Sequence, residues 1–300
     1  LYSALVLQDW EAVEFFLEGP TGLYQQIGAG IMDDGWYYEM STNYNLGVAG
    51  MLTKAGLALR PWGVEILEDR FPAVHHESLK VSSQPGKAVE PTHGAGVYAA
   101  AWGPSRRNYR QVRDLWDSLI PLINEDGKVP GLNDSAPEQR ISRRFTIAAY
   151  AYGDPEFLRY AAKSLSYPID SSKIEEAKKE KKDELLPNAF ADNAGVAMLR
   201  SQGEDVDSPE EQYQALLSYG SPGGAHGHED RLNLTYLRRF GKLATHTRTA
   251  WFGYGSLLYE MYVQSSMAHS MPIIDGKNQY PAPSRPLLRH TGDLFQAVAV

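Results

Sequence analysis

SPGGAHGHEDRLNL, Ser221 to Leu234, holds the densest chemistry in the 300-residue chain. His226 and His228 stand two residues apart. On a strand, side chains at i and i+2 share a face, so two imidazoles can share a metal, or one can bind metal while the other points at a substrate. Gly223, Gly224 and Gly227 let backbone and ligand approach closely. His246 and His269 follow downstream, and three or four neutral imidazoles suit zinc. An isolated H-x-H is more often a pair of ordinary surface or hydrogen-bonded histidines, so both readings stand at this point.

Outward from this run the chain divides into two characters. Upstream, apolar residues recur at helical spacing over Trp10 to Phe16, Leu46 to Leu59 and Tyr109 to Ile123. Arg144 to Tyr152 and Glu156 to Leu165 read as a helical pair broken at Gly153-Asp154-Pro155. Such helices joined by short turns predict an α/α hairpin array. The character changes near Tyr167, and SSKIEEAKKEKKDE (Ser171 to Glu184) reads as a solvated helix or linker. Beyond it, Asn193 to Arg200, Leu232 to Leu237, Leu257 to Val263 and Met271 to Ile274 read as strands, although LLYEMYV (Leu257 to Val263) reads equally as helix. The expectation is an α+β multidomain chain: helices over 1–170, a charged linker over 171–185 and an antiparallel β domain over 186–300.

Composition narrows the partners. A formal net charge of −8 argues against nucleic acid, which needs a basic face, but leaves room for an anionic sugar held by one local positive site. No apolar run approaches the roughly 20 residues that span a bilayer. With no cysteine, disulfides, thiolate metal sites and cysteine nucleophiles are excluded.

Six blocks together resemble the heparinase II/III-like polysaccharide lyases. HGHEDRLNL (His226 to Leu234) is similar to the family's HGHxDxLNL signature. GYGS (Gly253 to Ser256) and MAHSMPIIDGKNQ (Met267 to Gln279) resemble two downstream segments. NAGVAMLRS (Asn193 to Ser201), DDGWYYEMSTNYN (Asp33 to Asn45) and VPGLNDSAP (Val129 to Pro137) resemble three upstream ones. All fall in family order. The resemblance implies an incomplete (α/α) toroid followed by an antiparallel β-sheet or sandwich, with the site in the cleft between. It implies β-elimination on a uronic-acid glycan: the C5 proton is removed, the C4 oxygen leaves, and an unsaturated uronate remains. It also implies a divalent metal, zinc above all, in a mainly structural role, and a periplasmic or secreted location. A homo-oligomer is left open.

Carried over by position, Tyr44 matches the catalytic acid and His226 the histidine facing substrate. His228 and His269 match metal ligands. His246 stands where the family has an aspartate ligand, which would make a three-histidine site. Asp230 and Asn233 are expected behind the ligands, orienting them. Glu39, Ser41 and Asn45 are expected to support or contact substrate, Asn45 standing where the family has histidine. Tyr254 and Tyr262 both lie where some members place a second tyrosine. The family's upstream histidine-containing pair would precede Leu1, so either the chain is a piece of a longer protein or another group has taken over that role. His93, the His75-His76 pair and the Arg140, Arg143 and Arg144 cluster read as surface features. Two other functions stay open: a non-catalytic glycan-binding relative and a metal-dependent glycan hydrolase. The acidic balance makes a highly sulfated glycan a poor fit.

Overall fold

Asp9 accepts the Ala12 amide at 3.1 Å and so starts the second helix, Trp10–Glu18 (α2), after the short α1, Tyr2–Leu7. The computed structural model describes residues 1–73, 107–180, 184–220, 226–245, 253–279, 284, 286–292 and 294–300. His75, His76, His93 and His246 therefore lie outside the described residues. Leu23–Gly30 forms α3, and Thr42–Leu59 forms α4, the longest described helix. The α4 residue Thr53 accepts the indole N–H of Trp116 at 3.0 Å, and Trp116 meets Phe145 edge-on at 5.3 Å. These wholly buried rings centre the helical core.

The helix expected over Tyr109 to Ile123 does not form as one piece. Tyr109–Arg110 (β2) pairs with Phe71–Pro72 (β1), then Asp114–Asp117 (α5) makes one turn and Ile120–Leu122 a 3-10 turn. The buried Arg110 guanidinium holds the Ile31 carbonyl and Asp33, which draws the chain out straight. Pro121 has no amide to continue a helix. Ser142–Tyr152 (α6) and Pro155–Tyr160 (α7) form the expected pair, but α7 stops short of Leu165. There the Thr146 hydroxyl captures both the amide and the carbonyl of Ala162.

Over its described part the charged segment takes the helical alternative. Ser171–Lys179 (α8) is capped by Asp170, buries Ile174 and Ala177 on one side and packs on α7. Lys128–Pro130 (β3) and Glu138–Arg140 (β4) form a hairpin. Ala189–Ala191 (β5), Val196–Arg200 (β6), Gln214–Ser218 (β7), Asn233–Arg239 (β8) and Lys242–Thr245 (β9) form an antiparallel meander in that order. Leu288–Thr291 (β10) and Gln296–Ala299 (β11) make a further hairpin that packs against β6. Met271 to Ile274 is not a strand: Pro272 interrupts it, and Asp275 and Gly276 turn the chain with φ of 54° and 64°. Leu257 to Val263 takes its helical alternative, ending in a π-helical turn, Tyr259–Val263. No described helix is long and apolar enough to cross a membrane.

One buried cluster runs from the helices into Val196, Met198, Leu216 and Tyr236 of the sheet. The buried Arg200 pins the two parts, donating to the carbonyls of Pro121, Ile123 and Pro187. Gly195 (φ 74°) lets the sheet close at its turn, since a Cβ there would sit 1.9 Å from the Gly220 Cα.

At the same junction Asp33 donates its amide to Asn193, and the Ala194 amide donates to Asp34 Oδ2 at 2.7 Å. The other Asp34 oxygen is shielded from solvent without a hydrogen-bond partner among the described residues. Burial pushes this carboxyl up to about 6 from 3.8. The native carboxyl then holds its proton at higher pH than the unfolded one. Its stabilising contribution is fully present below the unfolded value and is lost as pH rises through about 6. Asp34→Asn is therefore expected to flatten stability against pH between about 4 and 7, with a gain of about 1–3 kcal/mol at alkaline pH. Urea unfolding across that range measures this; parallel profiles for the two proteins would show an ordinary carboxyl.

Candidate active site

The first turn of α4 is stitched to the loop of the β3–β4 hairpin. Ser41, buried at the helix start, receives the Tyr44 amide at 3.4 Å and donates to the Asp134 carbonyl at 3.2 Å. Thr42 donates to the Pro130 carbonyl and accepts the Leu132 amide. Gly131 permits the tight loop, since a Cβ there would meet the Ala136 carbonyl oxygen at 1.8 Å. On its other side the loop holds the H-x-H segment: the Asp134 amide donates to the His226 carbonyl, and the His228 amide donates to Asn133. Tyr44, Asp134 and His226, remote in sequence, meet there.

The Tyr44 ring stacks on the His226 imidazole, with centroids 3.7 Å apart and planes 16° apart. The Tyr44 hydroxyl lies 2.5 Å from that of Tyr254, which lies 3.0 Å from His226 Nδ1. His226 Nδ1 is 3.2 Å from Asp134 Oδ2, and its Nε2 is 3.8 Å from Glu39 Oε1. The Tyr259 hydroxyl donates to both Asp134 oxygens at 2.7 Å. Burial would raise the Asp134 carboxyl, but the hydrogen bonds from His228 and Tyr259 outweigh it and hold the group below the usual range. Burial raises Tyr254 and Tyr259, and the Asp134 charge adds to both, so these phenols stay protonated. Glu39 is raised by burial against the opposing pull of His226.

A second cluster adjoins the first. His228 Nε2 lies 3.0 Å from Asp134 Oδ1, and a carboxylate only accepts, so Nε2 carries the hydrogen. His269 Nδ1 lies 2.8 Å from the Ser265 carbonyl, so it too carries its hydrogen. The remaining nitrogens, His228 Nδ1 and His269 Nε2, face each other at 3.0 Å. As neutral rings they present two lone pairs to one another, which repel unless a cation lies between. Asp230 Oδ2 stands 3.8 Å from His269 Nε2, and the three side chains converge closely enough to hold an ion. This donor set fits zinc, whose imidazole ligands commonly donate their other N–H to a carboxylate.

The structure brings only some of the residues singled out in the sequence together. Tyr44, His226, Tyr254 and Glu39 come together, and so do His228 and His269. Asp230, expected behind the imidazoles, stands among them, and Asn233 holds it at 3.3 Å while accepting the Ser270 amide. Ser41 is a buried helix cap, the supporting alternative of its reading. Asn45 is likewise fully buried, accepting the Tyr37 amide and donating to the Leu115 carbonyl. Tyr262 is half exposed on the π-helical turn, while Tyr254 closes on the Tyr44–His226 pair. His246 lies outside the described residues. Sequence reasoning missed Asp134, despite the NDS segment, and Tyr259.

Titration with zinc tests the second cluster without reference to activity. Zinc is expected to raise the melting temperature, by about 4 kcal/mol of stabilisation at a thousandfold excess over Kd, and His269→Ala to abolish the rise. An equal rise in the variant would place the ion elsewhere.

No protein-family model matches the chain, and no curated protein matches it by sequence. Solved structures do match. Heparinase III aligns over 97% of this chain and 40% of its own, with 15% identity and a TM-score of 0.61. Heparan sulfate lyase HepC from Pedobacter heparinus aligns over 97% and 36%, with 15% identity and a TM-score of 0.56. A second heparinase III structure aligns over 99% and 36%, with 13% identity and a TM-score of 0.55. The chain has the fold of the heparinase-like polysaccharide lyases, helices followed by antiparallel sheet. It spans about two fifths of the length of these proteins.

Proposed function

We propose that this chain carries the reacting groups of a polysaccharide lyase that splits a uronic-acid glycan by β-elimination, its helices being part of an α/α toroid. The observation that carries the reading is the stacked Tyr44–His226 pair, closed by the Tyr254 hydroxyl and backed by Asp134. Elimination needs a base for the C5 proton and an acid for the C4 oxygen. With Nδ1 turned to Asp134, the lone pair on His226 Nε2 takes the C5 proton. The Tyr44 hydroxyl gives its proton to the departing oxygen. Tyr254, kept protonated, orients Tyr44 through their short hydrogen bond. Glu39 receives the hydroxyl groups of the sugar ring, and its charge turns away sulfate. His228, His269 and Asp230 would hold the metal, whose contribution is to fix this wall of the cleft, with His246 a further candidate ligand. A uronate glycan is the partner this chemistry implies; a periplasmic or secreted location is proposed on the family resemblance alone.

Incubation with alginate, heparan sulfate, hyaluronan and ulvan tests the reading. The absorbance of a C4–C5 double bond is expected to grow on one of them. Binding with no such growth on any would favour the non-catalytic alternative.

A further inference from the structure

We propose that Asp134 is a positioning residue that ties the metal cluster to the reacting pair by fixing the tautomers of both histidines of the H-x-H segment. The inference rests on the lyase reading only for its consequence in catalysis; the coupling itself is a statement about hydrogen bonds.

Asp134 is buried, and its two oxygens receive the Tyr259 hydroxyl at 2.7 Å, His228 Nε2 at 3.0 Å and His226 Nδ1 at 3.2 Å. Three donors converge on a group that only accepts. That sets His228 with its hydrogen on Nε2 and its lone pair on Nδ1, toward His269. It sets His226 the opposite way, with its hydrogen on Nδ1 and its lone pair on Nε2, toward Glu39 and the cleft. One carboxylate thus turns adjacent histidines to opposite duties, one ring to the ion and one to the substrate. The loop that carries it is held in place independently: Ser41 donates to the Asp134 carbonyl, and the Asp134 amide donates to the His226 carbonyl. A displaced Asp134 therefore moves both rings together.

Asp134→Asn separates charge and acceptance from shape. The amide offers one oxygen to three donors, and its NH2 then faces a ring nitrogen that must accept. At least one imidazole has to change tautomer. Nitrogen-15 imidazole spectra at mildly alkaline pH read this directly. In the wild-type protein His226 is expected as the Nδ1–H form and His228 as the Nε2–H form. Asp134→Asn is expected to invert one of them and to weaken binding of the zinc ion alone by about 10–100-fold. Tyr259→Phe removes a donor but keeps the carboxylate, so both tautomers are expected to persist.

Either ring found in the opposite tautomer in the wild-type protein would overturn the coupling, even if the asparagine variant fails to fold. So would a folded Asp134→Asn protein with unchanged spectra and unchanged zinc affinity. The two readings fail separately. Expected spectra without turnover of any glycan leave the coupling and remove the elimination. Turnover with an inverted wild-type tautomer does the reverse.

Discussion

Tyr44→Phe is expected to lower lyase turnover by about 10²–10⁴-fold while leaving KM within a few fold and the melting temperature unchanged. Only the hydroxyl is removed. The ring that stacks on His226 at 3.7 Å remains, as do the Ser41 cap and the loop bonds that seat the start of α4. The loss therefore falls on the step in which the leaving oxygen takes a proton. Tyr254, 2.5 Å away, is poorly placed to substitute, because burial and the Asp134 charge hold its proton firmly. Steady-state kinetics on the glycan that gives an unsaturated product measure the effect. An unchanged kcat would remove Tyr44 from the acid role and leave the stacked pair as a binding platform.

Arg238→Met is expected to destabilise the fold by about 3–5 kcal/mol, the cost of leaving buried charge without its partner. The Arg238 side chain is 1% exposed and reaches three carboxylates. It donates to Glu125 at 2.9 Å, to Glu138 at 2.8 Å and to Asp126. Glu138 also receives the Tyr236 hydroxyl and Lys128, and Glu125 receives Gln214. Methionine fills the stem but strands Glu125, with Lys128 left to offset part of the Glu138 charge. The half-exposed Asp126 loses least. The consequence reaches the site, because Glu138 belongs to the hairpin whose loop carries Asp134. Urea unfolding measures the stability, and zinc affinity in the folded fraction reports on the loop. A change below about 1 kcal/mol would mean that the carboxylates find water instead.

The H-x-H run was legible in the sequence because its spacing and flanking glycines mark it, and Tyr44 because the segment around it resembles one of the heparinase II/III-like lyases. The helices-then-sheet order was legible because each element states its own periodicity. Asp134 was not, since the NDS segment around it marks a block of the resemblance but does not distinguish a loop aspartate from the hub of a site. It becomes one only when the β3–β4 loop docks between α4 and a segment 92 residues away. For Ser41 and Asn45 the choice between support and contact was not legible. Both are polar and close to Tyr44 in sequence, yet their side chains bond the backbone of the docked loop, of Tyr37 and of Leu115. A sequence shows that a polar group needs a partner, not whether that partner is backbone or ligand. Tyr259 was hidden in a stretch that reads as strand or helix, and its phenol reaches Asp134 only because the chain coils there into a π-helical turn. Arg110 and Thr146 broke expected helices by side-chain bonds to remote backbone, which periodicity does not register.

Digestion in water enriched in oxygen-18, followed by mass spectrometry of the fragments, tests β-elimination most directly. Elimination breaks the bond without adding water. The expected fragments carry no label at the newly formed ends, and one of each pair is a dehydrated, unsaturated uronate. Label at a new reducing end, with saturated fragments, would mean that water attacks the glycosidic bond, and the chain would then be a hydrolase on a lyase fold.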